Sequence, residues 1–297
     1  MAHPELAGVF TAIVTPFSTD GSEIDYSAYE RHVGDQLAAG VSGIVPCGTT
    51  GEAPTLSDAE QRELIARTAR LVKGKAVLLA GTGSNNTKKS VDAAKSAVEA
   101  GADAVMVVMP YYSKPSQEGL FQHVAAIAHS VSAPIVLYNI PGRSVVDLSV
   151  DTTLRLLDAC SNVVGVKDAS GNALYVQELL LRAKRQVSVL CGEDALTVPL
   201  MSVGAQGVIS VTSNVYPKQL CEIVSAALGG RFAEAKHKSL PLFPVHRVLF
   251  SEPSPAPTKA ALAAKGRMNA SVRLPIVEAS AECRARLAAT LAAYEAS

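Results

Sequence analysis

Short apolar runs rich in β-branched residues recur along the first two-thirds of the chain, separated by longer stretches of mixed polarity. The runs are Phe10–Thr15, Gly43–Pro46, Val77–Ala80, Ala104–Val108, Ile135–Tyr138, Val163–Lys167, Val187–Leu190 and Gly207–Val211, and each reads as a buried strand. Their centres, near residues 13, 45, 78, 106, 136, 165, 189 and 209, step by roughly 20 to 33 residues, the span of one βα unit. The intervening stretches carry helix signals. Ser57 followed by Glu60 forms a capping box that opens a helix over Ala59–Val72, and Asp25 starts an amphipathic run that stops at Gly40.

Eight such units in series predict an α/β fold, a (β/α)8 TIM barrel. A doubly wound open sheet is the alternative, but the first βα turn lacks GxGxxG and no Walker motif occurs. After residue 215 the strand pattern stops, and Leu220–Leu228, Phe232–Lys238, Pro257–Lys265 and Ala279–Ala296 read as helices. The expected organisation is a barrel over residues 1–214 and a C-terminal helical region, 215–297, packed on it.

In such a barrel chemistry gathers where strands end, and the polar singularities of this chain fall there. The second strand runs into Gly48-Thr49-Thr50-Gly51-Glu52, the fourth into Pro110-Tyr111-Tyr112, the fifth into Tyr138-Asn139 and then Ile140-Pro141-Gly142-Arg143, and the sixth ends at Lys167. A lysine at a strand end either reaches solvent or, if buried, is pushed towards the free amine that attacks a carbonyl. Tyr138 stands on the strand paired beside Lys167, and Thr49 or Thr50, Tyr112 and Lys167 are expected to converge on one interior layer. Each piece has a plainer reading: a tight turn whose glycines supply φ > 0, rim packing for the tyrosines, a solvated loop charge for Arg143. Their coincidence at one rim favours a site.

Composition narrows the class. Lys plus Arg and Asp plus Glu number 27 each, so no net field attracts nucleic acid or an anionic membrane. The five cysteines are scattered without CxxC spacing, and the six histidines form no cluster, which disfavours a disulfide framework or a bound metal. Met1–Glu5 has no basic segment leading into an apolar run, so a cytoplasmic enzyme is the default expectation.

Gly48–Glu52, Pro110–Tyr112 with Pro115–Gly119, Tyr138–Arg143, Val166–Asp168, Gly207–Val211, Glu252-Pro253 and Arg273–Pro275 together resemble the pyruvate-dependent class I aldolase and lyase family, and within it the dihydrodipicolinate synthases. The resemblance covers nearly the whole chain. It implies that Lys167 forms an imine with pyruvate, that the Thr49–Thr50 loop binds the pyruvate carboxylate, and that Tyr138 relays protons together with Thr49 and a neighbouring subunit's copy of Tyr112. It also implies that Arg143 takes the carboxylate of L-aspartate 4-semialdehyde, that Gly192 and Ile209 border the substrates, and that no metal or organic cofactor takes part. The assembly it implies is a homotetramer, a dimer of dimers, serving lysine and diaminopimelate biosynthesis. Ser144-Val145 follows Arg143 where the family often has Thr-Gly, a departure that bears on acceptor choice. A retro-aldol lyase of a 2-oxo acid and a non-catalytic barrel that binds small acids are the other readings. Family members inhibited by lysine bind it at a dimer interface. The matching positions here are Ala53, Asp58, Gln61, Asn85, Lys89 and Tyr111; Lys89 replaces the Glu that pairs with the ligand's ammonium, so this site is expected to be degraded.

Overall fold

A computed structural model describes residues 6–296; Met1–Glu5, read above for a leader, lie outside the described residues. Eight parallel strands close on themselves in sequence order: β1 (Gly8–Ala12), β2 (Gly43–Val45), β3 (Val77–Gly81), β4 (Ala104–Val108), β5 (Ile135–Asn139), β6 (Val163–Asp168), β7 (Ser188–Cys191) and β8 (Gly207–Ser210), with β8 paired back to β1. Every expected strand is present to within a few residues. Phe10, Ala12, Val45, Leu79, Ala104, Met106, Val136, Tyr138, Val164, Leu190 and Ile209 fill the barrel interior, and a larger apolar layer lies between strands and helices. That burial on both faces explains why the strands read as continuous apolar runs rather than alternating ones.

The helices are α1 (Tyr26–Ala38), α2 (Asp58–Val72), α3 (Thr87–Glu99), α4 (Gln117–Ala128), a single turn α5 (Pro141–Ser144), α6 (Val150–Ala159), α7 (Ala173–Arg182), α8 (Thr197–Ser202), α9 (Pro217–Leu228), α10 (Phe232–Ser239), α11 (Phe243–Val248), α12 (Ala256–Ala264) and α13 (Ala281–Glu295). Asp25 caps α1 by accepting from Ala28 N, and Ser57 and Glu60 close the capping box of α2 from both sides. Helix α9 packs on β1 and β8, completing the ring around the barrel, while α11, α12 and α13 pack together beyond it. The free cysteines are buried apart from Cys221, which is half-buried. Among the described residues no helix is long and apolar enough to cross a membrane.

Candidate active site

Pairing of β5 with β6 sets Tyr138 opposite Lys167 and Asn139 opposite Asp168. Strand side chains alternate, so this register sends Tyr138 and Lys167 to one face of the sheet, the barrel interior. Lys167 is 6% exposed, and its Nζ lies 4.0 Å from the centroid of the Tyr138 ring. Burial lowers the amine from its ordinary 10.5 to about 8, with Arg143 pushing the same way and Asp194 and Cys191 opposing. Burial likewise raises the Tyr138 phenol above its usual range, against a lowering by Arg143. An amine that gives up its proton more readily than an ordinary lysine thus lies against a phenol that keeps its own. A methyl group on Gly192 would sit 3.2 Å from Lys167 Cε and 2.8 Å from Ala169 Cβ, so the missing side chain preserves the space beside the amine. Ile209 is buried in the interior cluster that also holds Tyr138.

The Gly48–Glu52 loop folds back on itself, with Gly51 N donating to Gly48 O at 3.1 Å and Glu52 N to Thr49 O at 3.1 Å. The positive φ angles do not fall on its glycines, as the tight-turn reading expected, but on the flanking Cys47 (φ 56°) and Glu52 (φ 57°). Gly51 is required for closeness: a Cβ there would stand 3.2 Å from Cys47 N and from Ile13 O. Among the described residues the N–H groups of Thr49 and Thr50 find no acceptor, which is the donor arrangement a carboxylate seeks. Thr49 is exposed and Thr50 buried.

Arg143 projects from the turn α5, which the Ser144 hydroxyl fastens through Ile140 O and Val146 O, each at 2.9 Å. The turn ends at Val145 in the left-handed region (φ 63°), a conformation costly for a β-branched residue and free for the glycine often found there in the resembling family. Asn139 anchors the returning chain, donating to Asp147 Oδ1 at 2.7 Å and accepting from Leu148 N at 3.0 Å. Among the described residues Arg143 has no ion-pair partner, leaving its guanidinium available to an anion.

A cleft of about 860 Å³ is bordered by Gly48, Thr49, Met106, Tyr138 and Arg143, while Lys167, Thr50, Gly192 and Ile209 are not on its wall. It continues outward past Ala53, Asp58, Gln61, Lys89 and Tyr111; Asn85 is not on its wall. Gln61 is already spent on Ala53 O and Leu56 O. Tyr112 does not converge on Lys167 in its own chain: it is 88% exposed, at φ 72°, and outside the cleft. Its backbone turns the ring away from the barrel axis that was expected to receive it.

The sequence did not reveal the roles of three groups, of which only Asn139 was noted, as a polar strand end. Asp194, buried near Lys167, accepts from the Ser210 hydroxyl, Val211 N and Thr212 N. Asn139 anchors the Arg143 loop as described. The Thr82 hydroxyl is buried on the cleft wall without a partner among the described residues. A polar residue directly after β3 was the available signal for Thr82, and Asp194 lies three residues beyond the end of β7. No group of three or more His, Cys, Asp or Glu positioned for a metal occurs among the described residues.

The lowered Lys167 amine has a kinetic signature. Where attack of this amine on a carbonyl compound is rate-limiting, the rate at low carbonyl concentration should climb by about tenfold per pH unit below the pKa, because the free-base fraction does. The rise should level off near pH 8, the lowered pKa. Initial rates of reductive trapping from about pH 6 to about pH 10 check this; a rise continuing to the ordinary lysine pKa would show that burial does not act on the amine.

The model of the dihydrodipicolinate synthetase family matches residues 5–294. The 4-hydroxy-tetrahydrodipicolinate synthase of Sorangium cellulosum (strain So ce56) is 53% identical over 296 residues, covering 100% of this chain and 98% of that protein. The solved 4-hydroxy-tetrahydrodipicolinate synthase of Methylacidiphilum fumariolicum SolV superposes with a TM-score of 0.95 at 43% identity, over 98% of this chain and 97% of the other. The dihydrodipicolinate synthase of Aquifex aeolicus gives a TM-score of 0.95 at 39% identity, over 98% of each chain.

Proposed function

The chain belongs to the dihydrodipicolinate synthetase family, and from that membership we propose that it condenses pyruvate with L-aspartate 4-semialdehyde through an imine on Lys167. The observation that carries this reading is the buried amine of Lys167, lowered to about 8 and held against Tyr138 on the paired strand. In the first step the Lys167 nitrogen adds to pyruvate C2, and loss of water leaves the imine. Loss of a methyl proton gives the enamine, whose terminal carbon bonds to the aldehyde carbon while the aldehyde oxygen takes up a proton. The acceptor's own amine then attacks C2, closes the ring and expels Lys167.

Tyr138, protonated at neutral pH like any phenol and held further from ionisation by burial, donates to the oxygen and recovers its proton through Thr49 and the neighbouring subunit's copy of Tyr112. The exposure of Tyr112 suits a side chain that completes another subunit's site, and the family resemblance implies a homotetramer, a dimer of dimers. The unbonded N–H groups of Thr49 and Thr50 receive the pyruvate carboxylate, with Gly192 and Ile209 bordering the substrates. The enzyme works in the cytoplasm, in lysine and diaminopimelate biosynthesis.

Arg143, facing the cleft unpaired, is assigned to the acceptor's carboxylate. A guanidinium–carboxylate contact in a desolvated site is worth about 2 kcal/mol, so Arg143→Ala should raise the KM for aspartate semialdehyde by about tenfold or more. The KM for pyruvate should move far less. Steady-state assays with aspartate semialdehyde and with other aldehydes test both the residue and the acceptor. Equal use of an aldehyde without a carboxylate, or an acceptor KM that Arg143→Ala leaves unchanged, would favour a retro-aldol lyase.

Free L-lysine should inhibit weakly or not at all at about millimolar concentration. Lys89 on the outer cleft wall opposes the ligand's ammonium, Asp58 offsets this only in part, and the Gln61 amide is already bonded. Titration of initial rates with lysine checks the point, and half-inhibition well below a millimolar would contradict it.

A further inference from the structure

The loop that would hold the pyruvate carboxylate is bolted to the far end of the chain. Glu52, its last residue, is 3% exposed and sits in the left-handed region at φ 57°. Its Oε1 lies 2.5 Å from Nζ of Lys259 on α12, a side chain with no exposed surface. The Lys259 ammonium also donates to Ser271 O at 2.8 Å and lies 3.9 Å from the centroid of the Phe17 ring. The other Glu52 oxygen accepts from Arg273 N at 2.9 Å. The Arg273 guanidinium, 4.4 Å from the same Phe17 ring, bonds Glu60, Gly21 O, Ser22 O and Thr55 O.

Stability alone does not call for this arrangement. Two buried charges cost desolvation that their attraction only partly returns, and apolar side chains of the same volume usually serve the fold as well. What an ion pair adds over an apolar contact is direction. Glu52 must hold a backbone conformation that a non-glycine residue adopts at a cost, and it does so one residue after Gly51 and two after Thr50. Among the described residues the other side-chain ties to the loop are two hydroxyls on its carbonyls, Thr15 to Gly51 O at 2.8 Å and Thr55 to Glu52 O at 3.0 Å.

We infer that Lys259 is a positioning residue for pyruvate: paired with Glu52, it fixes the Gly48–Glu52 backbone so that the Thr49 and Thr50 N–H groups point at the substrate carboxylate. The inference rests on the imine reading above, in which this loop takes that carboxylate. It makes the C-terminal helices part of the pyruvate site, although none of them touches the substrate.

The test is the pyruvate dependence of borohydride trapping on Lys167, together with steady-state KM values for both substrates, in Glu52→Met/Lys259→Met and in Glu52→Asp. The double variant removes both charges at similar volume; the single one keeps the charge and withdraws it by one methylene. Both should melt near the wild-type temperature and trap fully at saturating pyruvate. The half-saturating pyruvate concentration should rise by about tenfold or more in the double variant and severalfold in Glu52→Asp. The KM for the acceptor should change by less than about threefold, because the Arg143 loop is held separately. An unchanged pyruvate half-saturation in either folded variant overturns the inference alone, as does an equal rise for both substrates, which marks a general loosening. Failure of the wild-type protein to trap pyruvate overturns the imine reading and the inference with it.

Discussion

Lys167→Ala should lower turnover by on the order of 10⁴-fold or more, the scale seen when a covalent nucleophile is deleted. The fold should survive, because the change trims one side chain at a strand end whose backbone pairs with β5 and β7 on either side. Lys167→Arg is the sharper control. It keeps a cation in the same place but one that does not deprotonate in a protein, so it should be as inactive as Ala if the free amine is the nucleophile. Steady-state turnover with matched thermal melts checks both. Activity within about tenfold of wild type in either folded variant would mean that Lys167 acts only as a charge.

Glu52→Gln should destabilise the protein by about 3–5 kcal/mol, the usual result of removing one partner of a buried ion pair. The amide keeps the volume and the acceptor for Arg273 N, so the loss isolates the charge left on Lys259. Burial already lowers that amine from 10.5 to about 8, against the pull of Glu52. With Glu52 neutral the folded-state pKa should fall further below the unfolded one. The folded state then binds fewer protons than the unfolded state between the two values, so stability should climb as pH rises through that window. The deficit relative to wild type should therefore be largest below the variant's folded-state pKa and shrink until pH reaches about 8, where Lys259 of the wild-type folded state loses its proton as well. Denaturant unfolding at several pH values measures it. A loss under about 1 kcal/mol with no pH dependence would show that the pair carries little energy.

What could be read from the sequence divides along the range of the interactions involved. The strands were legible because burial on both faces writes them as unbroken apolar runs, and helix starts at Asp25 and Ser57 because capping is local. The adjacency of Tyr138 and Lys167 followed from strand order, since consecutive strands of a barrel pair, and their register is observed. The Gly48–Glu52 loop was legible as a feature but not in shape: its left-handed residues are Cys47 and Glu52, which no residue preference suggests. Glu52 and Lys259 lie too far apart in sequence for any periodicity to link them. The same holds for Arg273, which stacks on Phe17 and bonds Glu60. Tyr112 shows the opposite limit, because strand order placed it at the right rim while the backbone after β4 carries the ring into solvent.

Covalent chemistry at the Lys167 amine is the step on which the proposed reaction depends. Protein incubated with pyruvate and then reduced with borohydride should gain the mass of a single reduced pyruvyl group, carried by the peptide that contains Lys167. Borohydride without pyruvate, and Lys167→Ala with both reagents, should give no adduct. An unmodified wild-type chain that nonetheless condenses the two substrates, or an adduct on a different lysine, would contradict it.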